Sequence, residues 1–90
     1  MKTLLDLLRE NLPDGAEVQN EKETTNRFKY DFCLGGHTVH GEICKAVAPG
    51  YEASYITRAI ATCMIQIYLS TGDLKQGQYW LDIAQNGKLP

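Results

Sequence analysis

Apolar and polar positions change their period along this chain, and each change marks an element. Leu4, Leu5, Leu8 and Leu12 recur at helical spacing behind Thr3 and Asp6, which are placed as a capping box. Pro13-Asp14-Gly15 then reads as a turn that stops this first helix. Ala16–Lys22 reads as a polar strand carrying Val18, and Glu23-Thr24-Thr25-Asn26 as a loop. RFKYDFCL next alternates strictly, with Phe28, Tyr30, Phe32 and Leu34 on one side. Gly35-Gly36 supplies a two-residue hairpin turn, and HTVHGEIC returns.

That turn predicts Leu34/His37, Phe32/Val39, Tyr30/Gly41 and Phe28/Ile43 as pairs on an apolar face. The other face takes Cys33/Thr38, Asp31/His40, Lys29/Glu42 and Arg27/Cys44. A slip of one residue would scramble both sets, so the register is strongly specified. Gly41 opposite Tyr30 leaves room for the ring to lie across the neighbouring strand.

Tyr51–Ser70 switches to the helical period, with Glu52 and Arg58 as its charged residues and neither Gly nor Pro. Ala53, Ile56, Ile60, Cys63, Met64 and Ile67 form one broad face, and Ala61, Ile65 and Tyr68 a second stripe. Tyr51, Tyr55, Arg58, Thr62 and Gln66 make a narrow polar ridge. A helix apolar around most of its circumference is buried on several sides, so this one is predicted as the central element. Pro49-Gly50 precedes it and Gly72 follows. A last helix over about Leu74–Gln85 is predicted to be capped by Asp73, with Gln76 in the reciprocal position, and to end at Asn86-Gly87. Its expected inner face is Leu74, Leu81 and Ala84, with Gly77 admitting another backbone. The expected fold is a single α+β domain over residues 1–90: helix, three-stranded antiparallel meander, long central helix, shorter C-terminal helix, in two layers.

At 90 residues, 43% hydrophobic and 22% charged, the composition is that of one globular domain. The net charge of −2 argues against a strong nucleic-acid footprint. Residues 1–25 carry six acids against three bases, an acidic edge that could meet a basic partner. No apolar run reaches the roughly 20 residues of a membrane span, and Asp6, Arg9 and Glu10 interrupt the N-terminal leucines too early for a signal peptide. The expected location is cytoplasmic. Cys33, Cys44 and Cys63 are an odd number without a CxxC pair, which favours reduced thiols over a disulfide framework.

The order α-β-β-β-α over residues 2–70 resembles the double-stranded RNA-binding domain. Phe28-x-Tyr30-x-Phe32 entering a hairpin and Gly41-Glu42 on the following strand carry the likeness. In that family, RNA is held by helix one, the loop between the first two strands, and a lysine-rich start of the second helix. Here that helix start is Pro49-Gly50-Tyr51-Glu52-Ala53-Ser54-Tyr55, without lysine, and the loop region near Glu21-Lys22-Glu23 is acidic. Phosphate contacts need cations. The resemblance thus implies the fold, with nucleic-acid binding as an alternative function; family variants that have lost RNA binding serve as protein-interaction domains.

Two constellations could carry chemistry. Asp31, His40 and Cys33 share the outer face of the hairpin, in the order that orients a histidine and activates a thiol. A flat sheet face offers neither oxyanion donors nor exclusion of water, so a thiol enzyme stands as an alternative and a non-catalytic protein is expected. Cys33, His37, His40 and Cys44 resemble a metal set, but His37 faces away and Cys44 lies roughly 13 Å along the strand from His40. No metal and no cofactor are expected.

The aromatics point elsewhere. Tyr79 and Ile83, with Trp80 on their flank, fall on the side of the last helix away from Leu74 and Leu81; Tyr51 and Tyr55 pair on the central ridge. Exposed Tyr and Trp are enriched at protein interfaces. Tyr79, Trp80, Ile83, Tyr51 and Tyr55 are therefore the expected interface residues, covered by a partner protein or by a second copy in a homodimer. The expected function is a small protein-binding module acting stoichiometrically as an inhibitor or adaptor of bacterial or phage regulatory type.

Overall fold

The computed structural model describes residues 2–89. Six elements follow in order: α1 (Leu4–Glu10), β1 (Glu17–Glu23), β2 (Arg27–Leu34), β3 (His37–Cys44), α2 (Glu52–Thr71) and α3 (Leu74–Asn86). The capping box forms: Thr3 Oγ1 accepts from the Asp6 N–H at 3.1 Å, and Asp6 accepts from the Thr3 N–H at 3.0 Å. The strands make an antiparallel meander in the order β1-β2-β3. All eight expected β2/β3 pairs are present, from Leu34 opposite His37 to Arg27 opposite Cys44. Gly35 and Gly36 both take positive φ, 58° and 80°, the backbone a type I′ turn needs.

β1 adds an irregularity. Gln19 faces Asp31 but Lys22 faces Lys29, so β1 spends one extra residue there. Asn20 sits in this bulge at φ 53°, a left-handed conformation asparagine tolerates better than most residues.

The inner face of the sheet carries Tyr30, Phe32 and Ile43 into one core with Ile56, Ile60, Ala61, Cys63, Met64 and Ile67 of α2. Leu8 of α1 and Val18 of β1 complete that side. Phe28 does not join the core. It lies half-buried at the end of the sheet, and the Lys45 ammonium sits 5.0 Å from its ring centroid, itself paired with Glu23 at 2.7 Å. Ala53, expected on the apolar face of α2, is exposed near the helix start.

α2 ends at Gly72, φ 81°, and α3 folds back along it, so that Gly87 at the end of α3 lies beside Ser54 near the start of α2. Asp73 caps α3 by accepting from the Gln76 N–H at 3.1 Å. The inner face of α3 differs from the expected one. Gly77, Trp80 and Ile83 are buried, while Leu74 is 71% and Leu81 40% exposed. Trp80 has by far the largest apolar area on this helix, and turning it inward outweighs the exposure of two leucines.

The neighbour met by Gly77 is a side chain rather than another backbone: an added Cβ would lie 3.6 Å from Leu69 Cδ2, ordinary contact. Gly77→Ala is therefore expected to stabilise the protein, by up to about 1 kcal/mol of helix propensity, as a raised urea midpoint.

Candidate functional site

The constellation on the outer face of the sheet forms in part. Asp31 Oδ1 lies 2.6 Å from His40 Nδ1, and Asp31 Oδ2 accepts from Asn20 Nδ2 at 2.9 Å. The bulge in β1 is what aims Asn20 at the carboxylate. Cys33 is held by Thr38, whose Oγ1 donates to Sγ at 3.5 Å, and no bond joins it to His40. The His40 side chain is almost fully exposed. Among the described residues no group of three or more His, Cys, Asp and Glu is placed to hold a metal ion.

The Asn20 bond, then the His40 bond, holds the Asp31 carboxyl below its ordinary pKa of 3.8. A depressed carboxylate contributes stability above its unfolded-state pKa and loses it as pH falls through the folded value. The difference in thermal midpoint between wild type and Asp31→Asn should therefore be present at neutral pH and be lost as the pH falls through the folded-state value, which lies below the ordinary 3.8. Thermal melts across that range check it.

Glu42 is paired differently from expectation. The register sets it opposite Lys29, but its carboxylate bonds Arg27, two residues further along β2 on the same face. Lys29 instead faces Lys22 of β1. Arginine's longer, forked side chain reaches the diagonal neighbour.

A broad concavity lies along β3. β2 covers only one edge of that strand. Because Leu34 and His37 close a two-residue turn, they exchange hydrogen bonds, and every second pair along the ladder does the same. His37, Val39, Gly41 and Ile43 thus direct their backbone groups to β2, and Thr38, His40, Glu42 and Cys44 direct theirs to the free edge. Among the described residues no backbone group bonds His40 or Glu42 on that side. The facing wall is the polar ridge of α2: Tyr51, Ser54, Tyr55, Arg58, Thr62 and Gln66. Between them runs an open cleft of about 1400 Å³, which also reaches Gln85 and Asn86 of α3 and, around the edge, Lys22, Lys29 and Asp31. Small-molecule pockets run about 300–1,000 Å³, so this space is of macromolecular scale.

Tyr30 forms part of the floor. Its ring reaches across Gly41, where an added Cβ would stand 2.4 Å from Cε1. The side chain is 3% exposed, and its hydroxyl has no hydrogen-bond partner. Burial raises the phenol pKa, so the group stays a proton donor at neutral pH. A buried donor left unpaired costs about 1–3 kcal/mol. Cys63, beneath it, is pushed up to about 11 by burial and is a thiol of the core.

The cleft's charges are uneven in a way its composition hides. Both of its carboxylates, Asp31 and Glu42, are held internally by His40 and Arg27. Its cations Lys22, Lys29 and Arg58 have no ion-pair partner among the described residues.

Of the residues expected at an interface, Tyr51 (59% exposed) and Tyr55 (42%) stand on the rim of this cleft. Tyr79 is exposed on α3 and meets Trp80 edge-on, with centroids 5.7 Å apart. Trp80 and Ile83 are interior residues, 6% and 7% exposed, and offer no surface to a partner. The expected patch on α3 is reduced to Tyr79 and the leucines that turned outward. The cleft itself and the orphaned Tyr30 hydroxyl were not anticipated from sequence.

Among the described residues no helix is long and apolar enough to cross a membrane. The element order α-β-β-β-α-α agrees with a topology like that of the double-stranded RNA-binding domain, extended by one helix. No protein-family profile, curated protein or solved structure matches the chain.

Proposed function

We propose that the protein is a non-catalytic binding module that docks another protein, acting stoichiometrically as an inhibitor or adaptor in the cytoplasm. The observation that carries this reading is the cleft of about 1400 Å³ between an unpaired strand edge and a helix ridge with two exposed tyrosines. Tyrosine supplies rigid contact area at low entropic cost and is enriched where proteins meet. A free strand edge is a ready template for another chain. The topology it shares with the double-stranded RNA-binding domain brings no basic surface at the start of α2, where Glu52 stands instead of a lysine cluster.

The test is association in the source cell. Tyr51→Ser/Tyr55→Ser should leave the thermal midpoint nearly unchanged, since both side chains are exposed, and should lose the protein partner recovered with wild type. Retention of that partner at wild-type levels would contradict the assignment of this face.

A further inference from the structure

We infer that the cleft takes an extended, acidic polypeptide segment, which adds to the free edge of β3 as a fourth strand. This rests on the protein-binding reading and names the occupant's chemistry and mode.

Three independent features converge. The outward backbone groups of His40 and Glu42 have no partner, and only another backbone of extended form can pair with both at strand spacing. The cations of the cleft, Lys22, Lys29 and Arg58, are free of ion pairs among the described residues, whereas its carboxylates are already bonded to His40 and Arg27. The charge that remains to be matched is positive, and an acidic segment supplies its complement. On the floor, Tyr30 is 97% buried by its 3% exposure, and its hydroxyl is a donor without an acceptor. A segment on β3 points alternate side chains at the α2 wall, where a carboxylate meets Arg58 and a backbone or side-chain oxygen can serve Tyr30. Nucleic acid is disfavoured. Three cations on a chain of net charge −2 are few for phosphate-driven binding, and a phosphodiester cannot continue the β3 ladder.

The experiment selects binders from a random decapeptide phage-display library on the full-length chain. The strongest synthetic peptide is then followed by amide hydrogen exchange and fluorescence anisotropy. Enriched peptides should carry Asp or Glu at alternate positions, and binding should protect the amides of His40 and Glu42. Arg58→Glu should weaken the peptide at least about tenfold, the loss of one well-placed ion pair. Tyr30→Phe should weaken it too while raising the thermal midpoint of the free protein, because it removes the unpaired donor; a purely structural hydroxyl would give the opposite shift.

Enrichment of neutral or basic peptides, or no enrichment, overturns the inference. So does protection of His40 and Glu42 that rises with protein concentration alone, which would make a second copy the occupant. A 20-nucleotide single strand that protects the same amides and competes with the peptide also overturns it. If association in the cell depends on Tyr51 and Tyr55 while the His40 and Glu42 amides stay unprotected in the complex, strand addition falls and the protein-binding reading stands.

Discussion

Ile60→Ala is expected to lower the unfolding free energy by about 2–5 kcal/mol, a large share of what a domain of this size possesses. Ile60 is 0% exposed and lies mid-way along α2, in the core that includes Phe32, Ile43 and Trp80. Shortening it removes three carbons from water-free contact and leaves a cavity that a helix packed on two sides cannot collapse to fill. The contrast is Lys29→Ala, an exposed side chain without an ion pair among the described residues, expected to cost less than about 1 kcal/mol. Urea denaturation of the two variants gives the ranking directly. The reverse order would mean that α2 does not present Ile60 to the sheet.

Gly41→Ala is the second large effect, and its mechanism is the opposite one. A Cβ there would stand 2.4, 2.7 and 2.9 Å from Cε1, Cζ and the hydroxyl oxygen of Tyr30. The ring cannot stay where it is, and the backbone of β3 is held by β2 on the other side. Overpacking of this kind costs about 1–3 kcal/mol, and a Tyr30 displaced from the core adds the loss of its burial. Truncating the ring should relieve the clash, so Tyr30→Val with Gly41→Ala should be much less destabilised than the sum of the single variants. Additive losses in the double-mutant cycle would contradict the ring-on-glycine arrangement.

The hairpin was fully legible because two independent constraints agree there. Strict alternation from Arg27 to Leu34 chooses the face, and a two-glycine turn chooses the register, so every cross-strand pair follows, including Tyr30 over Gly41. α3 was legible as a helix, through its Asp73 cap and Gly87 stop, but not in its orientation. Its two candidate faces, Leu74 with Leu81 and Trp80 with Ile83, have similar apolar character on a wheel. What decides between them is the size of the indole: burying Trp80 with Ile83 removes more apolar surface from water than burying two leucines.

Other features lie beyond periodicity. The bulge at Asn20 comes from one extra residue in a polar strand with no apolar pattern to pin it. Glu42 chooses Arg27 over the directly opposed Lys29 because long side chains reach diagonally, which a register does not encode. The cleft depends on how far the α2 ridge stands from the β3 edge, a distance set by the packing of the whole core. Tyr51 and Tyr55 could be named from the ridge pattern, and a meander leaves β3 at an edge; that the two face each other across a cleft could be read from neither.

The most direct test of the binding face is photo-crosslinking from its rim. Replacing Tyr55 with p-benzoylphenylalanine in the full-length protein keeps an aromatic side chain at an exposed position, so folding should be unaffected. Irradiation in the source cell, followed by mass spectrometry, is predicted to yield a single dominant protein adduct at position 55, absent when the same group replaces Lys75 on the exposed start of α3. Adducts to nucleic acid at position 55, or the same protein adducts from both positions, would contradict the account.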